Sequence, residues 1–161
     1  MNAFTFKDEL KRYALDIGFC EVGFARATAL EPEFERYLRW LEKGYNGTMS
    51  YLERNLEKRR NPDLILPGAK TVIVCAYNYN SPYQHNGSFK ISRYAWGDDY
   101  HEIILPLLKN IETKLSVFFP NAKCKSYVDT GSVLEKSWAV RAGIGWQGKN
   151  SLLLTKKFGS Y

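Results

Sequence analysis

Residues 141–150, RAGIGWQGKN, decide how this chain is read. Gly143, Gly145 and Gly148 spell G-x-G-x-x-G, the dinucleotide fingerprint, and Gly143 to Lys149 spell G-x-x-x-x-G-K, one residue short of a phosphate-binding loop. Both motifs need a strand before the glycines and a helix after them, because N–H groups at the helix start hold the phosphate. Here the order is reversed. LEKSWAVRA, residues 134–142, has helical spacing, and SLLLT, residues 151–155, reads as a strand. Asn150 also stands where a phosphate loop places the Ser or Thr that binds Mg²⁺. Gly143 is better read as a helix C-cap. Gly145 and Gly148 then let the backbone turn tightly and approach a neighbouring strand or a flat ligand.

Outward from that stretch the pattern alternates irregularly. Thr5, with Asp8 three residues on, reads as the cap of a first helix whose apolar face is Phe6, Leu10, Tyr13, Ala14 and Ile17, stopped at Gly18. CEVGFA, residues 20–25, alternates like a short strand. Pro32 suits the first turn of a second helix with Phe34, Tyr37, Leu38 and Leu41 on one face and Gly44 at its end. A short helix is expected over Met49–Asn55. TVIVCAYNY, residues 71–79, is the clearest strand and reads as central in a sheet. Residues 79–88 read as a loop and Phe89–Ala95 as a further strand. Asp98 or Asp99 caps a long helix with the stripe Tyr100, Ile103, Ile104, Leu107, Leu108, Ile111 and Leu115, kinked at Pro106. KCKSYVD, residues 123–129, reads as a strand, and Ser132 with Glu135 as a capping box opening a helix to about Ala142. The expected class is α+β, a mixed sheet layered with helices, as a single domain over residues 1–161. The closing KKFGSY lacks capping or linker character and reads as a cut inside a larger protein.

Composition narrows the class further. Of the 161 residues, 45% are hydrophobic and 25% charged, an ordinary globular balance. No apolar run suffices for a membrane span, and the charged start, MNAFTFKDELKRY, does not suit a signal peptide, so a cytoplasmic protein with no membrane partner is expected. Cys20, Cys75 and Cys124 are scattered, without a C-x-x-C, and spell neither a zinc nor an iron–sulfur site. Cys20 and Cys75 read as small buried hydrophobes. The net charge of +6 suits a phosphate-rich partner or a merely solvated basic surface. Its densest cluster is Arg54, Lys58, Arg59 and Arg60.

Two residues draw attention as chemistry. Asp129 ends a strand-like run just before a helix, a position suited to function or equally to an Asx-turn or cap. A proton donor there would need burial or a nearby negative charge to keep its proton. His101, beside Tyr100 and near Arg93, reads as structural, and His85 as solvated.

Four segments, EKRRNPDLILPGAKTVIV, SRYAWGDDYH, YVDTG and RAGIGWQGKN, occur in an order and spacing that resemble the N-terminal part of epoxyqueuosine reductases. The resemblance runs from about residue 5 to the end. It implies an oxidoreductase that reduces the epoxide of epoxyqueuosine in the tRNA anticodon loop. The cofactors it implies are cobalamin and two [4Fe–4S] clusters, the clusters held in a ferredoxin-like C-terminal part absent from this chain. Alone, this piece is then expected to be inactive. By the same resemblance Asp129 matches the proton donor placed near the cobalt face and is also a cofactor-binding candidate, and Arg59, Ser92 and Leu153 match positions that contact cobalamin. Arg93, Tyr100 and His101 lie in matching motifs and join the cofactor-binding candidates, as Arg141 and Lys149 lie in matching motifs. Ser132 replaces a proline common in the family. Two alternatives stand beside this reading: a non-catalytic module binding a cofactor or nucleic acid, and a flavin-binding reductase of similar architecture.

Overall fold

The computed structural model describes residues 3–80, 82–84 and 87–160. The fold is α+β. Helices α1 (Ala3–Asp16), α2 (Glu31–Glu42), α3 (Leu56–Arg60), α4 (Tyr100–Phe118) and α5 (Glu135–Arg141) are joined by short strands β1 (Glu21–Arg26), β2 (Thr71–Ala76), β3 (Trp146–Gln147) and β4 (Leu153–Leu154). The strands pair in twos, β1 with β2 and β3 with β4, rather than in one mixed sheet. Bonds from Cys20 N–H to the Ala76 carbonyl and from Ala27 N–H to the Lys70 carbonyl bracket the first pair and make it antiparallel. Thus β2 has one partner strand among the described residues, not the two of a central strand.

Contacts gather the chain into two compact units, each built from separated segments. One comprises residues 1–22, 75–128 and 154–161. In it α1 packs on α4. Phe6, Leu10 and Ala14, spaced by four, are buried, and Phe6 sits 4.8 Å from the rings of both Phe118 and Phe119. Gly18, at φ 119, breaks α1 so that Phe19 N–H returns to the Ala14 carbonyl. The helix already runs through Thr5, so Thr5 is not its cap. Asp99 caps α4 by accepting from His101 N–H. Of the expected α4 stripe, Ile111 is buried, while Ile103, a hundred degrees round the helix from Ile104, is exposed.

The other unit comprises residues 23–74 and 129–153. Its core is Ala25, Leu30 and Trp138, flanked by Val72, Val74, Val133, Leu134 and Ala142. Pro32 lies in the first turn of α2 with Glu31 and Glu33, where acidic side chains suit the helix start. Residues Ser50–Glu53 form a 3₁₀ turn, shorter than the helix expected over Met49–Asn55.

Arg141, the last residue of α5, ties this unit together. Its guanidinium forks onto Glu33 (3.1 and 2.9 Å) and donates to the Ala29 carbonyl (3.0 Å). Burial pushes Glu33 up, but the hydrogen bond and charge of Arg141 outweigh it and hold the carboxyl below its ordinary range. The pair therefore stabilises the fold above the ordinary carboxylate value of 4.5, and that contribution is lost as pH falls through the lowered one. Arg141→Ala is expected to cost about 2–3 kcal/mol by urea unfolding at pH 7, since it strands a largely buried carboxylate. The difference from wild type should shrink on acidification below pH 4.5. A gap that stays constant across that range would contradict the assignment.

Two expected strands are absent. Residues 123–129 run without a ladder, with Val128 buried but Cys124 exposed. Within 89–95 the backbone makes a 3₁₀ turn at Arg93–Ala95, and Phe89 is 80% exposed. Alternating apolar residues hold a strand only where a neighbouring backbone accepts and donates.

Candidate functional site

The glycine stretch folds in the order helix, cap, hairpin. Gly143, at φ 76, ends α5, and Ile144 N–H returns to the Ala139 carbonyl. The chain then enters the β3–β4 hairpin, closed by Gly148 N–H to the Leu152 carbonyl (2.9 Å). Asn150 uses its side chain to accept from Leu152 N–H. Among the described residues no helix follows the glycines to present N–H groups to a phosphate.

Asp129 is exposed and lies in the left-handed region at φ 57, which costs a non-glycine residue energy and is tolerated best by Asn and Asp. Its N–H donates to the Glu135 carboxylate at 3.0 Å. The expected capping box is therefore replaced. Val133 and Leu134 are drawn against Trp138, α5 starts only at Glu135, and that carboxylate turns to Asp129 instead of to Ser132. Glu135 is exposed as a residue, yet its carboxyl is crowded by protein. Loss of hydration pushes its pKa up, the Asp129 N–H bond and the Lys136 charge oppose the rise, and the Asp129 charge adds to it. The next residue, Lys136, donates to the Ser151 carbonyl at 2.8 Å, and Ser151 is also left-handed at φ 66.

Arg59 lies in the same unit. It is 8% exposed, and its Nε finds no hydrogen-bond partner among the described residues. One terminal nitrogen makes a long contact of 3.5 Å to the Tyr51 carbonyl, and the guanidinium lies 5.9 Å from the Tyr37 ring centre. A buried cation with a spare donor is costly unless something accepts from it. Its neighbour Arg60 is saturated by Glu31 (2.8 and 2.9 Å) and Glu57 (3.1 Å). The basic cluster is thus partly spent on internal pairs. Leu153 is half-buried in β4.

The remaining candidates lie in the first unit. Ser92 precedes the turn at Arg93–Ala95 without capping it through its side chain. Arg93 donates to the Asn80 side chain and lies 5.5 Å from the Trp96 ring centre. Tyr94 packs edge-on against Tyr79 (6.4 Å) and Tyr100 (6.3 Å), and Tyr100 stacks on His101 at 4.2 Å. Asp99 meets His101 Nδ1 at 2.8 Å, while Nε2 is buried with no partner among the described residues. A proton on Nδ1 would leave Nε2 a hydrogen-bond acceptor. His85 lies outside the described residues. Burial pushes the Cys75 thiol up to about 12 and also raises Cys20, yet both side chains are half-buried rather than buried as expected from sequence. Among the described residues no three His, Cys, Asp or Glu side chains group as a metal site, and no helix is long and apolar enough to cross a membrane.

Glu135, Lys136 and Tyr37 were not among the candidates. The signal for Glu135 was its place six residues after Asp129, obscured by the stronger S-x-x-E pattern.

Comparison with known proteins agrees with the resemblance. The family model described as epoxyqueuosine reductase QueG, DUF1730, matches residues 59–130. An epoxyqueuosine reductase of Cellulophaga algicola is 40% identical over 155 residues, covering 96% of this chain and 51% of that protein. A solved epoxyqueuosine reductase with an epoxyqueuosine-modified tRNA-Tyr stem loop superposes with a TM-score of 0.86 at 31% identity, over 99% of this chain and 44% of its own. The Bacillus subtilis enzyme, solved with an aspartate catalytic loop swung out of its active site, matches at a TM-score of 0.86 and 30% identity, over 99% and 44%. The chain spans about half the length of the curated relatives it matches. In sequence and in fold the chain is similar, along almost its whole length, to about half of each of these epoxyqueuosine reductases.

Proposed function

We propose that this chain is the cobalamin- and tRNA-facing part of a longer oxidoreductase that converts epoxyqueuosine to queuosine in the tRNA anticodon loop, working in the cytoplasm. The observation that carries the reading is the match, along the whole chain, to reductases of that name, one of them solved with its modified stem loop. The reaction removes one oxygen. An epoxide, two electrons and two protons become an alkene and water.

The residues here suit the proton and binding parts of that chemistry. Asp129 is exposed, carries a carboxyl on a strained and anchored turn, and would deliver a proton to the departing epoxide oxygen. That the Bacillus subtilis relative has an aspartate on its catalytic loop supports this role. Cobalamin carries a phosphodiester and several amide carbonyls. The buried Arg59, with Nε unused and its cation beside Tyr37, fits such an acceptor-rich group. Leu153 would add apolar contact. Ser92, Arg93, Tyr100 and His101 remain cofactor-binding candidates by the resemblance, His101 through the acceptor at Nε2. When bound, cobalamin together with two [4Fe–4S] clusters held outside this chain supplies the two electrons. The net charge of +6 suits the tRNA backbone, whose binding should then weaken with salt.

The test is direct. The full-length gene product, supplied with cobalamin and a low-potential reductant, is incubated with epoxyqueuosine tRNA, and the nucleosides are resolved by mass spectrometry. Loss of 16 mass units from the modified base is the expected result. Unchanged epoxyqueuosine, with the protein folded and tRNA bound, would point to the non-catalytic module. A flavin spectrum in the purified protein would point to the other reductase class.

A further inference from the structure

Among the described residues three outside glycine are left-handed: Asn55, Asp129 and Ser151. Asn55 sits at the start of α3. The other two are both held from one place. Glu135 accepts the N–H of Asp129 at 3.0 Å, and the adjacent Lys136 donates to the carbonyl of Ser151 at 2.8 Å. Consecutive residues at the start of α5 therefore grip two separate turns, one bearing the candidate acid and one closing the glycine-rich hairpin. Left-handed backbone outside glycine persists only where its surroundings hold it there.

We propose that Glu135 and Lys136 are positioning residues, with Glu135 latching the Asp129 turn in its working place and Lys136 fixing the Ser151 turn. This inference rests on the reading of Asp129 as proton donor. The physical logic is one of leverage. Asp129 is exposed, so packing does little to fix it. A hydrogen bond from its backbone to a charged acceptor is among the stronger restraints available to an exposed turn. The bond is made by the backbone N–H of Asp129 and does not involve its carboxyl group. Glu135 also stands on a helix whose following residues, Trp138 and Ala139, are buried, so the latch has a firm mount.

Crowding raises the pKa of Glu135 and the Asp129 charge adds to the rise, while the Asp129 N–H bond and the Lys136 charge oppose it. A raised carboxyl contributes stability below its ordinary value of 4.5 and loses it as pH rises through the folded value.

The test uses the full-length protein with Glu135→Ala and Glu135→Gln, the second keeping an oxygen that can accept the same N–H. Amide hydrogen exchange over residues 127–131 reads the latch itself. It should run at least about tenfold faster in Glu135→Ala than in wild type, with Glu135→Gln much closer to wild type. Turnover of Glu135→Ala should fall about 10–100-fold, KM for tRNA should stay within about twofold, and Glu135→Gln should restore most of the loss. The thermal midpoint should not drop in either variant. Lys136→Met should quicken exchange over residues 148–152 and leave 127–131 slow. Unaltered exchange at 127–131 in Glu135→Ala overturns the proposal. So does equal loss of turnover in the Ala and Gln variants, which would assign the carboxylate a chemical role, and so does a fall in turnover that tracks global unfolding. Asp129→Asn, run in parallel, separates the two readings. Full activity there removes the proton donor, while the exchange data still decide whether Glu135 holds the turn.

Discussion

Asp129→Asn should lower turnover of the full-length protein by roughly 10²–10⁴-fold while leaving cobalamin and tRNA binding intact. The substitution isolates the proton. Asn has nearly the same shape as Asp and, like Asp, accepts the left-handed backbone that this position adopts at φ 57. The Glu135 carboxylate bonds the main-chain N–H of residue 129, which the amide variant keeps. The turn should therefore stay where it is, and only the transferable proton is removed. Single-turnover kinetics with epoxyqueuosine tRNA, alongside absorbance titration of cobalamin, measures both halves. Wild-type rates in the variant would refute Asp129 as the acid. Lost cobalamin binding would make it a binding residue instead.

The second large effect is on stability. Gly23 lies in β1 where the strand passes the end of α5. A Cβ placed there would stand 2.4 Å from the Ala142 carbonyl oxygen, 2.8 Å from the Ala142 Cβ and 3.0 Å from Ile144 Cγ1. The first of these is backbone, held by the helix end, and cannot swing aside. Gly23→Ala should cost about 3 kcal/mol, at the upper end of overpacking effects. Urea unfolding would measure it. Adding Ala142→Gly removes the methyl contact but not the carbonyl contact, so the double variant should recover little. A cost below about 1 kcal/mol would show that strand and helix end can part cheaply.

Much of the fold was legible because periodicity is a local property. The four-residue spacing of Phe6, Leu10 and Ala14 marks the buried face of α1, and the apolar run from Thr71 marks β2. Gly143 was identified as a cap for the same reason, since helix ends are written in a few neighbouring residues. What escaped depends on distant partners. Residues 123–129 alternate like a strand, yet among the described residues no strand pairs with them, and a ladder is a property of two segments. The S-x-x-E pattern at Ser132 was outcompeted by the burial of Val133 and Leu134 against Trp138, which delays the helix and redirects Glu135. Asp129 was found by position and resemblance. Its conformation, and the hand that Glu135 lays on it, could not be read from spacing. Arg59 looked like one member of a surface basic cluster, whereas the structure separates it from Arg60 by burial.

The interleaving of the two units sets a timetable for biosynthesis. The unit containing Gly23–Val74 is completed only by residues 129–153. Arg141 therefore reaches Glu33 across 108 positions of chain. At a ribosomal pace of roughly 5–20 residues per second, the valines of β2 wait several seconds for Trp138 to arrive. During that interval an apolar strand is presented to the cell without its cover. Nascent chains stalled shortly before Trp138 should thus be the ones that chaperones hold and proteases cut, and chains released beyond the hairpin should not.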